Sequence, residues 1–169
     1  MITGFPPVVA PDARVLILGS MPGRVSLEAS QYYAHPRNAF WPIICRLFNE
    51  PRQLSYDERL QLVQKNSTAL WDVMQYCERE GSLDSAIEPS TVVANDFVQF
   101  FGENPSIHYL FFNGAQAESS FKRHVVADLS AHGIALEMSR LPSTSPAYAA
   151  MSFEQKLEQW QRVREVITR

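Results

Sequence analysis

Cysteine is almost absent from this chain. Of its 169 residues only Cys45 and Cys77 carry thiols. Two thiols build no disulfide framework, and an iron–sulfur cluster needs about four ligands. No Cys-x-x-Cys or His-Glu-x-x-His pattern occurs, and the four histidines (His35, His108, His124, His132) lack ligand spacing. The expectation is two buried free thiols in a reducing compartment, with no metal and no cofactor. Long apolar runs are also missing: none approaches the ~20 residues that span a bilayer. No basic stretch followed by an apolar run opens the chain, so neither a leader nor a membrane anchor is expected, and the expected location is the cytoplasm. Positive charge is not in excess either: 15 Lys and Arg face 18 Asp and Glu, for a net charge of −3. With a pI near 5.8, binding to nucleic acid through bulk charge is excluded, and only a local basic face remains for it. Repeats, low-complexity tracts and linkers are absent, which predicts a single domain over residues 1–169. What the chain does have is 46% apolar and 11% aromatic residues, enough for one substantial core.

The apolar residues fall in two rhythms. Arg14 to Gly19 is a short continuous apolar run ending in glycine, as in a strand buried on both faces. Similar runs recur at 69–74, 108–112 and, less cleanly, 135–141. Between them lie helical patterns. Phe40, Ile43, Ile44, Leu47 and Phe48 make one apolar stripe. Leu60, Leu62 and Val63 mark a second helix beginning near Ser55 or Asp57, and Ala117, Phe121, Val125 and Leu129 a third over 115–129. Ser152-Phe-Glu-Gln155 is a capping-box pattern that opens the last helix. Strands alternating with helices predict an α/β fold of three layers, αβα, around a central, mostly parallel four-stranded sheet. Ligands of such folds sit at the carboxyl ends of the strands, so the segments after each strand are where chemistry is sought.

The first such segment is Gly19-Ser20-Met21-Pro22-Gly23, followed by Arg24 and then by Gln31-Tyr-Tyr-Ala-His-Pro-Arg-Asn-Ala-Phe-Trp41. Two glycines and a proline predict a tight turn that brings backbone close to a ligand. It is a poor phosphate loop, because Pro22 has no N–H, no Lys-Ser/Thr follows, and no helix is expected at once. Gly-x-Ser-x-Gly is absent, so it is no nucleophile elbow. Tyr33, His35, Arg37 and Asn38 then stand just before a helix, where an aromatic can stack on a base and an amide can hold water; Asn38 read locally is also a helix N-cap. The last segment, Leu141-Pro142-Ser143-Thr144-Ser145-Pro146-Ala147-Tyr148, sets three hydroxyls between two prolines, which suits phosphate contacts from a rigid loop and equally a Ser/Pro surface turn. After the second strand come Trp71 and Asp72, then Gly81-Ser-Leu-Asp-Ser85, in which Asp84 reads as a turn cap. Asn113-Gly114 closes the third strand, where the asparagine reads as an N-cap. Arg24, Arg37, Lys122, Arg123, His124 and Arg140 fall near strand ends, so a basic stripe around the crevice and a solvated helix face are both open.

GSMPG followed by YYAHPRNAFW resembles the first motif region of the uracil-DNA glycosylase superfamily, in particular its hypoxanthine-DNA (deoxyinosine) glycosylase branch. The resemblance runs from about residue 13 to 165, and 31–41 is its most specific part. It implies a DNA glycosylase that leaves an abasic site, with DNA containing deaminated bases as partner, acting as a monomer. It makes Asn38 the catalytic residue, because Met21 stands where mismatch-specific relatives carry their asparagine and cannot hold water. It makes Tyr33 the stacking aromatic. It places Gly19, Ser20, Met21, Pro22, Gly23, His35, Trp71, Asp72 and Asn113 around the base, with Arg24, Arg37, Pro142, Ser143, Thr144, Ser145 and Tyr148 on the DNA. The second loop departs from the pattern: Leu141 and Ser145 replace its polar first residue and bulky wedge, and Tyr148 is the candidate substitute. The alternatives are a mismatch uracil/thymine glycosylase, which Met21 disfavours, and a non-catalytic module binding a nucleotide or damaged DNA.

Overall fold

Each of the four runs contributes a strand to one sheet. The computed structural model describes residues 1–169. Its elements, in chain order, are β1 (Ile2–Thr3), β2 (Val15–Gly19), α1 (Arg24–Ala29), α2 (Phe40–Leu47), α3 (Tyr56–Lys65), β3 (Thr68–Asp72), β4 (Met74–Cys77), β5 (Val93–Ala94), α4 (Phe97–Glu103), β6 (Tyr109–Asn113), α5 (Ala115–His124), α6 (Val126–Ala131), β7 (Glu137–Leu141) and α7 (Phe153–Ile167). The main sheet has the order β3-β2-β6-β7, and every pair in it is parallel. A small antiparallel sheet, β1-β4-β5, was not foreseen.

The pleat sorts the side chains into two cores. Val15, Ile17, Leu70, Tyr109 and Phe111 face α2, α3 and α7, around Phe40 and Trp160. Leu16, Leu18, Ala69, Trp71, Leu110 and Phe112 face α4, α5 and α6, among Phe97, Phe100 and Phe121. Strands buried on both faces need such apolar continuity, and the result is three layers, αβα. Capping boxes at Ser55 and Ser152 start α3 and α7, the latter as its sequence predicts. No helix is long and apolar enough to cross a membrane.

Four local readings are corrected. The 115–129 helix breaks at Val125, which leaves helical geometry at φ −123° so that it and Leu129 both reach the core. The 69–74 run is two strands: after Asp72 the chain keeps two more bonds to the first loop, Val73 N–H to Gly19 O and Met74 N–H to Ser20 O. It then crosses into the small sheet. Helix α4 went unread, though its Asp96 side chain caps Gln99 N–H. Cys77 is buried, but Cys45 is only half-buried.

Candidate active site

The carboxyl ends of β2, β3 and β6 open into one cavity of about 450 Å³, within the range of small-ligand pockets. Its wall comes from four segments: 19–26 after β2, Tyr32, Tyr33, His35 and Asn38 before α2, 82–85 after β4, and 143–148 after β7, together with Asp72 and Asn113. The register explains how the floor forms. Gly19 and Asp72 are paired last residues of adjacent strands. The Asp72 carboxyl lies over the glycine so closely that a Cβ at residue 19 would stand 2.4 Å from Asp72 Oδ1 and 3.2 Å from Tyr33 Oη. Only glycine leaves that room. Gly23, in contrast, has ordinary space around it.

The loop before α2 is held from behind. Buried Tyr32 donates its hydroxyl to Pro6 O, its carbonyl accepts Trp41 Nε1–H, and its N–H goes to Tyr56 Oη. Ser26 Oγ accepts Ala34 N–H. These anchors force Tyr33 into left-handed backbone at φ 55°, a conformation that costs an aromatic residue about 1–3 kcal/mol. One face of the Tyr33 ring stacks on Phe40 at 3.9 Å between centroids. Its hydroxyl is buried without a partner, and burial, then the Asp72 charge, push its pKa up. His35 Nδ1 accepts Arg37 N–H, so the imidazole proton sits on Nε2. Asn38 Oδ1 accepts Phe40 N–H at 2.9 Å. Ala39, not Asn38, is the N-cap of α2; the bond from Phe40 N–H nevertheless fixes an amide that lines the cavity.

The second loop is tied down throughout. Asn113 Nδ2 donates to Thr144 Oγ1 and its Oδ1 accepts Thr144 N–H, both at 2.9 Å. Asn113 is therefore no N-cap; that position belongs to Gly114 at φ 95°, where a Cβ would meet Ser143 Cβ at 3.0 Å. Thr144 O accepts Ala39 N–H, joining the two loops. Trp160 Nε1–H reaches Pro142 O. Lys156, only 5% exposed, donates its ammonium to Tyr148 O at 2.8 Å and Ser145 O at 3.4 Å. Burial lowers its pKa.

Several candidates stand elsewhere than expected. Trp71 is not in the cavity: pleat alternation turns it away from Asp72, against Phe97 and Phe100, with its indole N–H on Phe5 O. Arg37 is exposed and does not line the wall. Pro142 lies outside it with its carbonyl turned inward, and Thr144 is buried as a pin rather than free for phosphate. Met21 lines the cavity, yet packs with Met74, Cys77 and Ile87. A helix, α1, does follow the glycine loop at once, and its Arg24 N–H is taken by Ser82 Oγ. Lys122 and Arg140 both pair with Glu118, and Arg123 and His124 line a separate hollow of about 270 Å³, so of the six basic candidates only Arg24 lines the cavity.

The 82–85 turn is what sequence reasoning undervalued. Asp84 accepts Ser20 Oγ–H at 2.7 Å instead of capping its own turn. Arg79 reaches Pro22 O at 2.7 Å and clamps the same loop. Leu83, 56% exposed, is a second open apolar group on the rim beside Tyr148 at 40%. The signal was present in Gly81-Ser-Leu-Asp-Ser85, but no spacing rule ties it to Ser20.

Asp72 lines the floor with 4% of its surface exposed. Its Oδ2 has no hydrogen-bond partner. Desolvation and then the nearby Asp84 charge push its pKa up to about 7, against a partial opposing pull from Arg79. A strained aromatic, a fixed amide and an unpaired buried carboxyl in one cavity are marks of a site built for chemistry.

Known proteins are similar to this chain in sequence and fold. The model of the Uracil DNA glycosylase superfamily matches residues 6–165. A hypoxanthine DNA glycosylase of Methanosarcina barkeri is 37% identical over 115 residues, 68% of this chain and 72% of the relative. Another from Methanosarcina acetivorans is 33% identical over 161 residues, 95% and 96% of the two chains. A solution NMR structure from Methanosarcina acetivorans, provisionally described as a uracil DNA glycosylase, superimposes with a TM-score of 0.80 at 31% identity, covering 99% of this chain and 98% of that one. Sequence and fold agree over nearly the whole length, and the chain belongs to the uracil DNA glycosylase superfamily.

Proposed function

We propose that this chain is a monofunctional DNA glycosylase, cytoplasmic and acting as a monomer, that hydrolyses the N-glycosidic bond of a flipped deaminated base, hypoxanthine foremost, and leaves an abasic site. The observation that carries this reading is the Asn38 amide, fixed by Phe40 N–H at the wall of a cavity that a nucleoside can fill. Two relatives bearing the name hypoxanthine DNA glycosylase point to the same base.

The chemistry follows from the groups at the wall. A base inside a duplex must be extruded, at a cost of a few kcal/mol that is least for damaged or mispaired bases. Stacking against Tyr33, which lines the cavity and is backed by Phe40, returns roughly 1–3 kcal/mol. The amide of Asn38 is too weak a base to take a proton, so its role is to orient water toward C1′ as the bond to the base breaks. Its Oδ1 has a second lone pair for that water. Ser143 and Ser145 accept N–H groups of their own loop and keep their hydroxyl protons for phosphate oxygens. Covalent lyase chemistry would need a lysine at the cavity. Lys156 is spent on loop carbonyls instead.

The test is base release. Duplexes carrying hypoxanthine, uracil or xanthine are incubated with the protein and abasic sites are cleaved with alkali. Strand breaks at hypoxanthine, with uracil and xanthine slower, are expected; folded protein that yields no breaks with any of them overturns the reading and favours a binding module.

A further inference from the structure

Asp72 carries a function that water positioning does not use. Its carboxyl is buried, lines the cavity and leaves Oδ2 unpartnered. No cation is paired with it. Arg79 faces it from the segment after β4, bonded through Nε to Gly81 O and Nη2 to Pro22 O, with Nη1 buried and unpartnered. Asp84 faces it from the 82–85 turn, Tyr32 and Tyr33 from the loop before α2, and Arg24 and His35 line the same cavity. An uncompensated buried carboxylate is costly, so the group keeps its proton to higher pH. A carboxylic acid that holds its proton near neutrality, open only toward a ligand, is the usual form of a general acid.

The leaving group needs one. When the C1′–N9 bond breaks, its electron pair goes to the purine, and the negative charge spreads to N7, N3 and O6. We propose that Asp72 is the acid of this reaction, donating its proton from the cavity floor to an acceptor atom of the departing base while Asn38 positions the water. The base then leaves as neutral hypoxanthine, the water oxygen bonds to C1′, and the proton the water releases restores the acid through solvent. The inference rests on the glycosylase reading above. Tyr33 Oη, also unpartnered, lies beside Gly19 on the same floor.

The experiment is single-turnover release of hypoxanthine from duplex DNA between pH 5.5 and 9, with wild type, Asp72→Asn and His35→Ala. For wild type the rate should fall above about pH 7, approaching tenfold per pH unit. Asp72→Asn should be about 100-fold slower at pH 6 and flat across that range. His35→Ala should keep the alkaline limb. Carboxyl carbon NMR on wild-type protein labelled at aspartate needs no variant: one signal should titrate with the midpoint of the rate limb. An Asp72→Asn protein with wild-type rates, or one slowed with its alkaline limb intact, overturns the acid role. So does the absence of any aspartate titrating at that midpoint, even where the variant fails to fold. Wild type that releases no base overturns the glycosylase reading itself, and this inference with it.

Discussion

The two loops that close the cavity are built in opposite ways. The first, residues 19–38, holds a left-handed tyrosine and an unpartnered phenol, and packs against an unpartnered carboxyl. The second, residues 142–148, gives its carbonyls to Trp160, Lys156 and Ala39, and its Thr144 is pinned twice by Asn113. Strain and unmet polar groups sit where the proposed reaction breaks a bond; satisfied backbone sits where the proposed DNA contact is made. A rigid loop with its backbone satisfied suits positioning, and buried, unpartnered polar groups on a rigid frame suit chemistry. Under the proposed function, the difference matches reaction to the first loop and grip to the second.

That division can be broken. The largest effect belongs to Asn38→Ala, which should lower single-turnover base release by about 1,000-fold. Loss of its bond to Phe40 N–H should cost only about 1 kcal/mol of stability, read as a small Tm shift. Asp72→Asn comes next, as a test of stability. The folded acid titrates near pH 7 against an ordinary 3.8, so the unfolded chain loses its proton first. Stability is therefore lost as pH rises between those two values and stays lost above them. The variant should gain a few kcal/mol over wild type at pH 8 and little at pH 4, as denaturant midpoints will show. Lys156→Met should weaken duplex binding about tenfold by loosening the second loop, with the saturating single-turnover rate changed less than about threefold. A large rate loss there would erase the contrast between the loops. Smallest is Tyr148→Ala, with a loss of about 1 kcal/mol in duplex affinity measured by fluorescence anisotropy.

The layers were legible because burial on both faces of a parallel strand leaves an apolar run that no surface element shares. The helices at 40, 56 and 153 were legible through stripes and caps. The first loop was readable from its unusual residues, and Asn38, Tyr33, His35 and Asp72 all reach the cavity. What failed were contacts set by tertiary pairing. Trp71 and Asp72 are adjacent in sequence, and only the pleat decides which faces the cavity. Arg37 looked like part of a motif and points to solvent. The role of Asp84 with Ser20 spans 64 positions, and that of Lys156 under the second loop belongs to a helix read only as amphipathic. Neither leaves a local pattern. The charge arithmetic held its warning as well: with Lys122 and Arg140 paired to Glu118, little free positive charge remains near that helix. DNA affinity should be modest and salt-sensitive.

The most direct test is to follow free hypoxanthine by mass spectrometry in single turnover, with wild type and Asn38→Ala side by side on the same duplex. The account predicts stoichiometric release of the base with an abasic site by wild type, and release slowed about 1,000-fold in a folded variant. Equal release by the two proteins, or none by wild type, would contradict it.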